Sequence, residues 1–276
     1  MRNATRFQFI QSQHVPGLTV LNAAIDDFCY DRHAHEEYAF GVTLAGRQDF
    51  FSGGQYHKSP PGHVIRFNPE EVHDGQPGGE HTLGYSMLYV PTAQVDPLLA
   101  EALGRENTSG FRPPGTLIQD TELRGAILEL ARLVSLETGS CIDQENALYR
   151  VVARTAQLGG RYQDEPGIRR PDTLLQRAKA YIHAHLEQDI SLDEISQAAH
   201  LSKYHFVRLF RRHYGITPHQ YVINCRINAA RRALSQGATA SEVALRFGFA
   251  DTSHFNRRFK RIYAVTPSQY RRDIAR

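Results

Sequence analysis

The stretch YHFVRLFRRHYGITPHQY at residues 204–221 returns 49 residues later, without a gap, as SHFNRRFKRIYAVTPSQY at residues 253–270. Ten of the eighteen pairs are identical, among them Phe206/Phe255, Arg208/Arg257, Phe210/Phe259, Tyr214/Tyr263, Pro218/Pro267 and Tyr221/Tyr270. A repeat of this length is one supersecondary unit used twice, so the C-terminal part is not an anonymous helical bundle.

The residues around each copy punctuate helices. Ser191-Leu-Asp-Glu194 and Thr239-Ala-Ser-Glu242 are capping boxes, each opening a short helix. Ser202 and Asp251 stand where they cap the next helix after a tight turn. The turn at Ala199-His200-Leu201 is one residue shorter than that at Gly248-Phe249-Ala250. Phe206, Leu209 and Phe210, then Phe255, Phe259 and Ile262, follow helical spacing and pack inward, leaving arginines outside. Thr217-Pro218 and Thr266-Pro267 each start a further helix, with proline at the first position where its missing N–H costs nothing. The first of these helices runs to about Gln236 before Gly237, about 27 Å of rod joining two helix-turn-helix units. Recognition helices on one side of it could enter successive major-groove turns, about 34 Å apart.

Charge divides the chain the same way. Residues 172–276 hold 17 Lys and Arg against 8 Asp and Glu, a net +9, whereas residues 1–171 hold 15 against 21, a net −6. A basic half beside an acidic one points to a nucleic-acid-binding half joined to a half with another task; the plain alternative is a solvated basic surface. No apolar run approaches a membrane span, and MRNATRFQFIQSQH lacks the apolar core of a signal peptide, which gives a cytoplasmic protein without a membrane partner. Cys29, Cys141 and Cys225 are too scattered for a disulfide framework or a thiolate zinc site. Gly, Pro and charge in GGRYQDEPGIRRPD, residues 159–172, mark an exposed linker. The domain boundaries read 1–162, linker 163–172 and 173–276, with helix-turn-helix units at about 191–213 and 240–263.

The tail from Thr173 resembles the DNA-binding domain of the AraC/XylS family of transcriptional regulators. SLDEISQAAHLSKYHFVRLFRRHYGITPHQYV and ASEVALRFGFADTSHFNRRFKRIYAVTPSQYR carry the resemblance. It departs at Ser196, where the family usually has Ala, and at Ala264, where Gly is usual, so Ala264 is expected in a left-handed conformation. The resemblance places base-reading side chains at Lys203, Tyr204, Val207 and Arg208, and at Thr252, Ser253, Asn256 and Arg257. Arg reads guanine and Asn adenine by bidentate hydrogen bonds, whereas Thr, Tyr and Val offer methyl or aromatic contact. Ser202, Arg211, Arg212, Arg258, Lys260 and Arg261 suit phosphates. The competing reading pairs Arg208 or Arg257 with an acidic neighbour on the protein.

Between Asn22 and Val90 the runs Tyr38–Leu44, Arg47–Phe51, His63–Phe67 and Leu83–Val90 alternate or are β-branched and aromatic, giving a small antiparallel barrel or jelly roll. Helical periodicity takes over from Thr92, with Leu98, Leu99 and Leu103, then Leu123, Ile127, Leu130, Leu133 and Val134; the last helix lies near Asn146 to Leu158. The fold class is therefore α+β, a barrel with trailing helices followed by an all-α domain.

His33-Ala-His35, Gly46, Pro61-Gly62 and Asn68-Pro69-Glu-Glu-Val-His73 make the barrel resemble the cupin-like sensor of the same regulators. A metal-binding cupin adds a carboxylate three or four residues after its histidine pair; here positions 39 and 40 are Ala and Phe, and Glu36 and Glu37 come too early. Two classes of function stand at this point. One is a metal-dependent enzyme in which His33, His35 and His73 hold iron or zinc. The other, preferred because the ligand count is short, has neither metal nor cofactor and is not an enzyme: an effector pocket of His35, Tyr38, Asn68, Glu71 and His73 for an amino acid or other small metabolite. The resemblance then implies a sequence-specific activator that binds double-stranded DNA and works with RNA polymerase. It also implies a homodimer formed through the helix of Leu148, Val151, Val152 and Leu158. A barrel that only dimerises, without ligand, is the alternative within that class.

Overall fold

Strands dominate the described residues up to Val90, and the first of them shows burial with period two. In β1 (Arg6–Gln11) Phe7 and Phe9 are buried while Arg6 and Gln8 face solvent. A computed structural model describes residues 5–105, 111–112, 115–162 and 170–275. β1 joins β2 (Thr19–Ile25), β4 (Tyr38–Ala45), β7 (Val64–Phe67), β9 (Leu83–Val90) and β11 (Leu117–Ile118) in a six-stranded sheet of order β1-β2-β9-β4-β7-β11. β3 (Tyr30–His33), β5 (Gln48–Ser52), β6 (Gln55–Ser59) and β8 (His73–Pro77) form a four-stranded sheet of order β3-β8-β5-β6. A short ribbon pairs β10 (Phe111–Arg112) with β12 (Arg161–Tyr162).

Three helices cover the outer face of the larger sheet: α1 (Thr92–Leu103), α2 (Thr121–Ser135) and α3 (Cys141–Gln157). Val20, Phe40, Val42, Val64 and Leu88 of the sheet share one apolar core with Leu99, Ile127, Leu130 and Val151 of the helices. Residues Tyr38 to Thr43 of β4 are therefore buried on both faces. Asp120 accepts from the Leu123 amide at the start of α2 and holds the Arg154 guanidinium of α3 at 2.6 Å, which keeps its carboxyl below the usual carboxylate range. One expectation changes here. Leu148, Val151 and Val152 are 3% exposed or less and belong to this core, so they are spent inside the subunit; the outward apolar residues of α3 are Ile142 and Tyr149.

The main division of the chain falls at residues 163 and 164. The part of the expected linker at 163–169 lies outside the described residues, and its last three positions already belong to α4 (Arg170–Ala184). Then come α5 (Leu192–Ala198), α6 (Lys203–Tyr214), α7 (Pro218–Ser235), α8 (Ala240–Arg246), α9 (Thr252–Tyr263) and α10 (Pro267–Ile274). Both expected capping boxes form: Ser191 and Thr239 accept from the amides of Glu194 and Glu242, whose carboxylates reach back. Ser202, Asp251, Thr217 and Thr266 cap the helices that follow them. α7 has 18 residues and ends before Gly237, which takes φ +99°. His200 and Gly248 supply the left-handed residue of the shorter and longer turns, at φ 52° and 66°. Ala264 is left-handed at φ 63°, as expected, and the buried Ser196 hydroxyl donates to the Asp193 carbonyl.

Candidate DNA-binding face and effector site

Each recognition helix has one face sealed and one open. Phe206 and Phe210 of α6, and Phe255 and Phe259 of α9, have no exposed surface, so the opposite residues must point to solvent. On α6, Lys203, Tyr204, Arg208, Arg211 and Arg212 are exposed and Val207 half-buried, with Tyr204 at 78% exposure. On α9, Ser253, Arg257, Arg258, Lys260 and Arg261 are exposed and Thr252 half-buried. Among the described residues neither Arg208 nor Arg257 has an acidic partner. Lys203 does, its ammonium lying 2.5 Å from Asp193 in a pair with both ends exposed, worth little in water. Asn256 is half-buried, and its Oδ1 is shielded from solvent without a hydrogen-bond partner among the described residues, so it sits at the edge of the reading face and not on its crest.

Behind each reading face the same device closes the unit. In the first, the Lys179 ammonium of α4 lies 5.6 and 5.9 Å from the rings of Tyr214 and Tyr221. In the second, the Arg231 guanidinium of α7 lies 5.7 Å from the ring of Tyr263 and donates to the Tyr270 hydroxyl at 3.4 Å. Burial, opposed by Arg231, pushes the Tyr263 hydroxyl up to about 12, so at neutral pH it keeps its proton and donates to Asn228 Oδ1 at 2.8 Å.

In the N-terminal unit the expected pocket residues separate into three groups. His35 and His73 meet, both buried, with ring centroids 5.2 Å apart; Phe67 stacks on His73 at 3.6 Å and Tyr89 meets His35 edge-on at 4.8 Å. His73 Nδ1 donates to the Glu71 carbonyl and His33 Nδ1 to the Asp31 carbonyl. The ligand nitrogens of His33, His35 and His73 lie within 4.8 Å of one another. All three are buried, and together they form a group that could hold a metal ion.

Tyr38 is a correction. It shares the face of Phe40 and Val42, and its hydroxyl donates to Asp96 of α1 at 3.0 Å, away from the histidines; side chains alternate along a strand, and β4 turns its even-numbered residues to the helices. Asn68 and Glu71 bind each other. Glu71 accepts from the Asn68 amide and side chain at one oxygen and from Ser52 and Thr116 at the other, so its carboxylate ties down the loop before β8.

Sequence reasoning missed other buried polar groups of the same unit. Gln48 is 5% exposed, and its Oε1 has no hydrogen-bond partner among the described residues. Tyr30 and Tyr85 share a hydroxyl contact of 2.6 Å, and burial pushes both well up. Thr43 and Ser59 share another at 2.8 Å. The odd parity of Thr43 in β4, opposite to Phe40 and Val42, was the available signal.

The profile of an AraC-like ligand binding domain matches residues 15–152, and that of a helix-turn-helix domain residues 195–273. The chain is 27% identical over 227 residues to YbfI of Bacillus subtilis, an uncharacterised HTH-type transcriptional regulator, covering 81% of this chain and 80% of that one. It is 30% identical over 233 residues to the XylDLEGF operon transcriptional activator 3 of Pseudomonas putida, covering 78% and 66%. Its fold is similar to ToxT of Vibrio cholerae bound to an unsaturated fatty acid, with a TM-score of 0.62 at 11% identity over 99% of this chain and 98% of that one.

Proposed function

The chain belongs to the AraC family of transcriptional regulators, with a ligand-binding N-terminal domain and a helix-turn-helix DNA-binding domain, and from that premise we propose how it reads DNA and what controls it. The observation that carries the reading is the matched pair Arg208 and Arg257, exposed, without an acidic partner among the described residues and at the same position of the two helix-turn-helix units. Each suits bidentate recognition of guanine in successive major-groove turns. Lys203, Tyr204, Val207, Thr252, Ser253 and Asn256 complete the base-reading set, while Ser202, Arg211, Arg212, Arg258, Lys260 and Arg261 take phosphates. Arg257→Ala is expected to weaken binding to the cognate site by about 1–3 kcal/mol and to relax one base position. Titration against cognate and random duplexes checks this, and equal losses on both would make Arg257 a phosphate contact.

Control comes from a small polar metabolite held between the two sheets near His35 and His73, which shifts the DNA-binding state only as far as it prefers one arrangement over the other. The chain acts as a homodimer in the cytoplasm, and as an activator it works with RNA polymerase. The Pseudomonas putida relative, named as an activator, supports that direction. No helix of the described residues is long and apolar enough to cross a membrane. Thermal unfolding of the purified protein against a metabolite panel tests the effector: a ligand at about 100 times its dissociation constant adds about 2.7 kcal/mol to stability. A flat response across a broad panel would leave the N-terminal unit as a dimerisation module without ligand.

A further inference from the structure

One cation of the DNA-binding unit faces neither solvent nor a tyrosine. Arg226, in the middle of α7, is 8% exposed, and its guanidinium lies between the two helix-turn-helix units. Its Nε donates to the Leu186 carbonyl at 3.1 Å and its Nη2 to the Gln188 carbonyl at 2.6 Å, both in the segment that leads from α4 into the first unit. Its Nη1 lies 3.4 Å from the Gly248 carbonyl, in the turn from which the second recognition helix starts. Gly248 is pressed against it: at φ +66° a side chain there is strained, and a Cβ would stand 3.3–3.4 Å from the guanidinium. An ion pair from Arg246 to Glu187 at 2.7 Å spans the same two segments, but its side chains are more than half exposed and it adds little rigidity.

From this geometry we infer that Arg226 is a positioning residue that fixes the separation and phase of the two recognition helices, and so the spacing between the two DNA boxes the chain accepts. The guanidinium suits the task because its planar fork directs donors to several acceptors at once from a rigid plane. Each unit packs on its own phenylalanines, so losing the brace leaves both reading faces intact and loosens their relative placement about α7, the helix both units share. One inserted base pair moves a box by about 3.4 Å and turns it by roughly 34°, a change that only a rigid reader rejects. This inference rests on the proposal that both units read DNA together.

The test uses the full-length chain. Wild-type protein selects duplexes from a random library, and the enriched duplex is compared with the same duplex carrying one base pair inserted between its boxes. Wild type is expected to prefer the uninserted duplex by about tenfold or more. Arg226→Ala should cut that ratio to about threefold or less while enriching the same two box sequences, and Arg226→Lys, which keeps the charge but not the fork, should fall between. A cooperative melt confirms that each variant is folded; if Arg226→Ala is not, the Arg226→Lys ratio decides. An unchanged ratio in a folded variant would overturn the inference. Enrichment of a single box by wild type, or of none, would overturn the joint reading and this inference with it.

Discussion

Phe255→Ala is expected to lower the stability of the C-terminal unit by about 3–5 kcal/mol, the usual cost of emptying a closed aromatic site. The ring has no exposed surface, and it packs against Phe249 at 5.0 Å and Phe259 at 5.6 Å on a helix whose other face must stay in water. Nothing on the open side of α9 can swing in to fill the hole, because its neighbours there are Arg257, Arg258 and Lys260. Small domains have about 5–15 kcal/mol in hand, so the loss takes a large share of the total. Urea unfolding followed by helix circular dichroism measures it, and Phe255→Leu should recover most of the loss. A cost below about 1 kcal/mol would mean that the site collapses without the ring and that the second unit is held by its clasp instead.

The second large effect is ionic. If Arg211, Arg212, Arg258, Lys260 and Arg261 each neutralise a phosphate, affinity should fall with a log–log slope of about −4 to −5, which is roughly 250- to 1,000-fold between 50 and 200 mM salt. Alanine at any one of the five should flatten the slope by about one, while Arg257→Ala should weaken cognate binding and leave the slope unchanged. Binding isotherms on one duplex across a salt series separate the two kinds of residue. A slope near −1 for the unaltered chain would remove the phosphate assignment altogether.

The C-terminal unit was legible because its signals are local. A cap, a turn and a Thr-Pro start are each decided within four residues, and a repeat shows them twice. The N-terminal unit is governed by distant pairing. Tyr38 belongs with its neighbour His35 in sequence, yet strand parity and the helices packed on the far side of β4 send the two apart. QYHKS and HDGQP form β6 and β8 although their residues read as loop, since what makes them strands is β5 lying between them. The early start of α3 was available and overlooked: Ser140 and Asp143 make a capping box with Asp in place of the commoner Glu. His73 meets His35 through the path of the loop tied by Glu71, and no spacing rule reports that.

The two tyrosine clasps bear on how such a domain can be divided. α7 lends Tyr221 to the first unit and Arg231 to the second, so one helix is the last wall of one module and the first wall of the next. A cut on either side of it leaves one module open, and the domain is therefore indivisible although its sequence is duplicated. The shared wall also explains the period: it is counted once per copy, so 49 residues suffice where two freestanding modules would each need a wall of their own.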